Sequence, residues 1–282
     1  MSDFLLYFKN IYIMKNKIKR KKIGLALGSG GFRGFAHIGV MQVLLENNIP
    51  IDYISGASIG SLAAAYYSLN REIKGLEEKL LDKQKGRIIG ISDFGFRGGL
   101  VSGRKYEKII ETLLGRHIFE DAKIPLRIIA TDLANGEPFV FQEGKLSTAV
   151  RASSSVPIVF EPVKHHGRRY IDGALSSPVP VEALKSLGAD KVIAVNLYHK
   201  NEFIEKKFTF TKVALRSTRI ALYNLSQHDI KDADVVINPD TSYYVQNISL
   251  KKYFSSDIVK EMINIGRKEA EKNLSEIKKL LN

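Results

Sequence analysis

Gly56-Ala57-Ser58-Ile59-Gly60 sets a serine between two glycines, each two residues away. Where a strand runs into a helix, glycines at those positions let the backbone turn sharply without side-chain collision, and the serine oxygen stands out at the end of a sheet as a nucleophile. The flanks fit that context, because Ile51 to Gly56 reads as a strand and Ile59 to Leu69 as a helix. The helix would also turn its positive N-terminal end toward negative charge developing at the serine. A five-residue pattern of this kind recurs by chance, so its meaning depends on what accompanies it.

Its first companion is Gly28-Ser29-Gly30-Gly31-Phe32-Arg33-Gly34, with four glycines in seven residues. A phosphate-binding P-loop would end in Gly-Lys-Ser/Thr, which is missing. A dinucleotide fingerprint counted from Gly28 and Gly30 would need glycine where Arg33 stands. A loop of exposed backbone N–H groups at a helix start remains, suited to holding an oxyanion, and its alternative is a plain tight turn. From the residues alone, Arg33 either orients this loop or lies exposed on the surface.

The stretch LALGSGGFRGFAHIGVMQVL is followed 22 residues after Gly34 by the GASIG elbow, and much later by Asp172-Gly173-Ala174. This order resembles that of the bacterial patatin-like phospholipases, whose pattern is Gly-Gly-x-Arg/Lys-Gly, then Gly-x-Ser-x-Gly, then Asp-Gly-Gly/Ala. The similarity runs from about Lys22 to Asn238 and includes the family's Ala-Ser-x-x-x-Pro stretch as Ala152-Ser153-Ser154-Ser155-Val156-Pro157. One departure is Ser29, where the family often has a further glycine. The resemblance implies a three-layer α/β/α fold and a Ser58-Asp172 catalytic dyad without histidine. It implies an oxyanion hole at Gly30, Gly31 and, after the nucleophile, Ile59. The activity implied is cleavage of carboxylic esters in phospholipids or other acyl lipids, with no cofactor and no metal, and it adds a third reading of Arg33 as a substrate-binding residue that meets a lipid phosphate.

Residue types alone would send the search for a base to histidine. A free aspartate, with a pKa of about 3.9, is a poor base for a serine hydroxyl unless a water-poor pocket raises its basicity. The histidines are His37, His117, His165, His166, His199 and His228. His37 falls on the helix after the glycine loop and is expected to pack or hydrogen-bond behind it. His165 and His166 flank a hairpin turn and read as surface residues, so Asp172 is the expected base. Asp132, at the end of a core strand, reads as structural.

The elements that would position these groups alternate strand with helix. Lys22–Ser29, Ile51–Gly56, Leu126–Leu133, Lys191–Leu197 and Asp234–Asn238 read as buried strands. Phe35–Asn47, Ile59–Leu69 and Val181–Leu187 read as helices, and Ser255–Leu281 as one long amphipathic helix or a pair. Pro138–Gln142 and Pro162–Tyr170 read as antiparallel strands. The expected class is α/β, a mainly parallel central sheet with helices on both faces. Between Asn70 and Lys123 the signals weaken. Phe94 to Gly103, with Phe94, Phe96 and Leu100, reads as a lid over acyl chains or as packed core.

A chain of 282 residues holds one large domain, expected at 22–240, with 1–21 as an N-terminal extension and 241–282 as a helical segment packed on the same domain. The absence of cysteine excludes disulfides, thiolate metal sites and a cysteine nucleophile, and fits a reducing, cytoplasmic setting. The net charge of +13 would suit anionic membranes, nucleic acid or acidic partners, or reflect base composition alone. No nucleic-acid recognition motif supports the second. Phe4 to Met14 is largely apolar, and Lys15 to Lys22 carries six basic side chains, the reverse of a secretory signal's order. This stretch is read as an interfacial anchor giving peripheral contact with the inner membrane face, or as an extension before a start at Met14. The rival to the enzyme reading is a weakly active or inactive lipid-binding regulatory protein on the same fold.

Overall fold

The computed structural model describes residues 20–82, 99–203, 210–247, 252–253 and 255–281. The apolar and basic run before Arg20 lies outside these residues, as do Phe94 and Phe96.

Five strands form a parallel sheet in the order β10-β9-β1-β2-β4, from β1 (Ile23–Leu27), β2 (Tyr53–Ala57), β4 (Leu126–Asp132), β9 (Lys191–Val195) and β10 (Val235–Ile237). These strands read as continuous apolar runs because both faces are covered. In β1, Ile23, Leu25 and Leu27 enter the large core on one face, while Ala26 enters a smaller core on the other with Val179, Val181, Leu184, Val192 and Ala194. The α/β expectation, with helices on both faces, therefore holds. The far side is antiparallel: β5 (Pro138–Phe141) and β8 (Arg168–Asp172) pair with β4, and β7 (Val163–His165) closes a hairpin with β8. A separate two-stranded ribbon joins β3 (Gly99–Val101) in parallel to β6 (Ile158–Phe160). Part of the glycine-rich stretch read as lid or core is thus a short strand outside the main sheet.

Helix α1 (Ala36–Glu46) follows β1, α2 (Ile59–Asn70) follows β2, and α3 (Lys74–Leu81) comes next. After β3 come α4 (Arg104–Leu114) and α5 (Leu146–Ser153), then α6 (Val181–Lys185) and α7 (Phe210–Asp229). The short α8 (Ser242–Asn247) precedes α9 (Ser256–Lys279), which runs as one helix rather than two. Among the described residues no helix is long and apolar enough to cross a membrane.

Helix α9 packs on α1 by backbone contact. A Cβ on Gly39 would stand 1.9 Å from Ile263 O, and one on Gly266 would stand 2.0 Å from Ala36 O. Phe32, in the glycine loop, stacks on Tyr253 with ring centroids 4.1 Å apart. The C-terminal segment therefore rests against the helix that carries the loop.

Candidate active site

The serine elbow forms where the sequence places it. Ser58 caps α2 with φ 51° and ψ −125°, a backbone region closed to most L-residues and costing about 1–3 kcal/mol. Its neighbours allow the turn: a Cβ on Gly56 would meet Gly60 O at 2.5 Å, and one on Gly60 would meet Leu27 O at 2.2 Å. The elbow is locked from below, since Ser58 N–H donates to Ser153 Oγ at 2.8 Å and Ser153 donates to Ile129 O at 2.5 Å.

Strand registers bring Asp172 to this serine. Residues 128 and 129 of β4 pair with both β2 and β5, and residues 130 and 131 pair with both β5 and β8. A strand has two edges, so β2 and β8 must share one. They run toward each other along it: β2 stops with Ala57 opposite Ile129, and β8 stops with Asp172 opposite Ala130. The residue after β2 is Ser58, and Ser58 Oγ donates to Asp172 Oδ2 at 2.7 Å.

Asp172 is held through its side chain and through its backbone. Asp172 Oδ1 accepts Ala174 N–H at 2.9 Å, Asp172 N–H donates to Ser155 O at 3.0 Å, and Thr131 Oγ1 donates to Asp172 O at 2.8 Å. Burial pushes its pKa up to about 6, against the opposing pull of the Ala174 and Ser58 donors. That value moves an ordinary carboxyl into the range where a general base works near neutrality.

The glycine loop lies over the elbow. Residues Gly31–Phe35 form a 3-10 turn leading into α1, and Gly31 adopts φ 59°. The first N–H groups of such a turn, and that of Ile59 as first residue of α2, have no partner within their own helix. Gly34 faces Ile59 so closely that a Cβ there would come within 2.3 Å of its side chain. Gly31, Gly34, Ser58 and Ile59 line one pocket together.

Arg33 departs from the substrate-binding expectation. It is buried at 7% exposure, ion-paired to buried Glu202, and donates to Gly30 O at 2.9 Å and Leu197 O at 3.0 Å. Its guanidinium also covers the Tyr198 ring at 4.7 Å. A cation committed to these partners braces the loop from behind rather than meeting a phosphate. Glu202, far along the chain and without a motif, was invisible in the sequence.

None of the histidines hydrogen-bonds to Ser58 or Asp172 among the described residues. His37 Nε2 donates to Gly28 O at 2.7 Å, behind the loop, and burial lowers its pKa to about 4, which keeps it neutral. His165 and His166 sit at the β7–β8 turn, with His165 against Phe141 at 5.0 Å. Asp132 accepts Ala134 N–H and pairs with Arg168, as a structural residue would.

From Ser58 an apolar pocket of about 170 Å³ runs between α2, α3 and α4, walled by Leu62, Leu76, Leu80, Ile109, Leu113 and Phe160. Signals over α3 and α4 are weak in the sequence, yet these helices supply much of the wall.

A family model described as patatin-like phospholipase matches residues 25–185, more than half of the chain. An uncharacterized NTE family protein of Mycobacterium tuberculosis is 34% identical over 178 residues, 62% of this chain and 49% of that protein. Neuropathy target esterase sws of Drosophila melanogaster is 31% identical over 181 residues, 62% of this chain and 13% of its own. Lysophospholipase NTE1 of Pyricularia oryzae is 30% identical over 185 residues, 63% of this chain and 12% of its own. The chain thus spans about half, or much less, of the length of these relatives. Among solved structures, VipD from Legionella pneumophila aligns with a TM-score of 0.48 at 13% identity, covering 91% of this chain and 67% of that one. With the motifs in order and the matched region enclosing both Ser58 and Asp172, this chain belongs to the patatin-like phospholipase family.

Proposed function

We propose that the chain is a serine acyl-hydrolase that cleaves carboxylic esters of phospholipids or other acyl lipids. The observation that carries this reading is the 2.7 Å hydrogen bond from Ser58 to a carboxylate made basic by burial, at the mouth of an apolar pocket. Family membership and two relatives, one named an esterase and one a lysophospholipase, point the same way.

In the first step Asp172 takes the Ser58 proton as Oγ attacks the ester carbonyl. The tetrahedral oxyanion falls to the backbone N–H groups of Gly30, Gly31 and Ile59, with the start of α2 adding its dipole. Ser58 N–H is not part of that hole, being engaged by Ser153. The strained φ and ψ of Ser58 keep the oxygen in attack position before substrate arrives. Collapse expels the alcohol with the proton from Asp172, and water hydrolyses the acyl-enzyme with Asp172 as base again.

The test is labelling by a fluorophosphonate probe alongside hydrolysis of medium-chain esters, comparing wild type with Ser58→Ala. Labelling and hydrolysis that both vanish in Ser58→Ala support the enzyme. A wild type that is neither labelled nor active would favour the lipid-binding rival.

A further inference from the structure

Besides Ser58, two side chains lining the pocket carry a polar atom among the described residues: Tyr106, in the first turn of α4, and Ser154, which caps α5. Both stand out in a wall otherwise built of Leu, Ile, Phe and Val. Ser154 is 5% exposed, and its Oγ is buried without a hydrogen bond of good geometry. Buried hydroxyls are nearly always paired, so one left open in a pocket wall asks for a ligand. The Tyr106 hydroxyl lies within reach of Ser154; burial and the nearby charge of Asp172 push its pKa up, while the Ser154 contact pulls it down.

Both groups are rigidly placed. Ser154 stands between Ser153, which holds Ser58 N–H, and Ser155, whose carbonyl holds Asp172 N–H. Tyr106 stacks on Phe160 with centroids 5.2 Å apart and planes 19° apart. A hydroxyl on the segment that holds the backbone amides of both Ser58 and Asp172 keeps its distance from the reacting atoms.

An acyl chain offers these hydroxyls nothing to bind. An ester has two oxygens, and the carbonyl oxygen belongs to the glycine loop and Ile59. The alkyl oxygen remains, and it must receive its proton from Asp172, the group whose charge Tyr106 senses.

We propose that Tyr106 and Ser154 form a leaving-group station, their hydroxyls donating hydrogen bonds to the alkyl oxygen as its bond to the acyl carbon breaks. This rests on the acyl-hydrolase reading and narrows it to esters of unactivated alcohols, such as acylglycerols. The Oγ–C bond forms, the C–O bond to the alcohol breaks, and the proton taken by Asp172 from Ser58 goes to the departing oxygen. Tyr106 and Ser154 keep their own protons throughout. Burial holds the Tyr106 pKa above its ordinary value, so the hydroxyl stays a donor over the working range.

The experiment compares two butyrate esters, p-nitrophenyl butyrate and glyceryl monobutyrate, on wild type, Tyr106→Phe, Ser154→Ala and the double variant. The nitrophenolate leaves unaided, whereas the glyceryl alkoxide needs help. Each single change is expected to lower kcat/KM for the glyceryl ester by about 10- to 100-fold and that for the nitrophenyl ester less than about twofold. Equal losses on both esters would assign the hydroxyls a merely structural or acyl-binding role, and no loss on either would leave them no role; both results overturn the proposal. Retained fluorophosphonate labelling of Ser58 in each variant shows the dyad and loop intact, and Tyr106→Phe keeps the stacked ring. If one variant does not fold, the other reads the same ratio. Hydrolysis of either ester persisting in Ser58→Ala would instead sink the underlying acyl-hydrolase reading.

Discussion

Ser153 Oγ accepts the backbone N–H of Ser58 at 2.8 Å while donating to Ile129 O at 2.5 Å, so one hydroxyl ties the Ser58 amide to the central strand β4. Ser153→Ala leaves the buried Ser58 N–H without its hydrogen-bond partner and removes a donor from Ile129 O. The expected cost is about 1–3 kcal/mol of stability, read as a lower melting midpoint. Because the elbow is strained, its geometry loosens before the fold fails. The turnover number is expected to drop by about tenfold or more with KM little changed, the pattern of an interaction felt in the transition state. Unchanged kcat in a folded Ser153→Ala enzyme would show that the elbow holds its strain without this tie.

The same logic of burial gives Asp172 a pH signature. As the proposed base it must be ionised, so kcat/KM is expected to fall about tenfold per pH unit below about 6. Stability runs the other way. Folding raises this pKa from 3.8, so the carboxyl's contribution to stability is full below 3.8 and is lost as pH rises through about 6. At neutral pH a buried negative charge is therefore a cost, about 2–3 kcal/mol for a shift of this size. Asp172→Asn is expected to lose about 10²- to 10⁴-fold in activity and yet to melt higher than wild type at pH 8, with the gap closing toward pH 4. An Asn variant that melts lower at pH 8 would place the carboxylate in a more solvated setting than its burial indicates.

Arg33 and Glu202 offer a test of what the arginine is for. Removing one partner of a buried pair strands the other charge, at about 3–5 kcal/mol. Glu202→Gln is therefore expected to destabilise the protein and loosen the glycine loop. Arg33→Lys should not rescue it, because one ammonium cannot reproduce the guanidinium's fork to Gly30 O, Leu197 O and Glu202. Activity in both variants should decline alike on phospholipids and on uncharged esters. A loss confined to phospholipids would return Arg33 to the phosphate.

The parts of this site that lie within a few residues of each other were legible in the sequence. The elbow needs glycines at fixed spacing, the loop needs small residues before a helix, and β1, β2 and β9 show as apolar runs because both faces are covered. Asp172 was reached only through the resemblance, since its approach to Ser58 depends on β2 and β8 meeting on one edge of β4, a matter of register between distant strands. Ser153 and Ser155 were visible as part of the Ala152 to Pro157 stretch, but nothing in their types said that one holds Ser58 and the other Asp172. Arg33 was left between orienting the loop, meeting a lipid phosphate and lying exposed, because nothing near it in the sequence names its partner; Glu202 lies 169 residues away. The pocket walls from α3 and α4 were faint because short helices rich in Lys and Glu show only a narrow apolar stripe.

Helix α9 provides a last test, of whether the C-terminal segment belongs to the same cooperative unit as the site. Gly266 lets the α9 backbone approach Ala36 O so closely that a methyl group would sit 2.0 Å from it, and Gly39 makes the reciprocal approach to Ile263 O. Backbone atoms cannot swing aside as a flexible side chain can, so Gly266→Ala must push the two helices apart. Overpacking of this kind costs about 1–3 kcal/mol. Ala36 is two residues after Gly34, and α1 is continuous with the 3-10 turn of the glycine loop, so the displacement is delivered to the oxyanion side of the pocket. Gly266→Ala is expected to lower the melting midpoint in one cooperative transition and to reduce kcat, although the change lies outside the residues matched by the family model. Two separate transitions, or a lowered midpoint with full activity, would mean that α9 packs on the domain without supporting its loop.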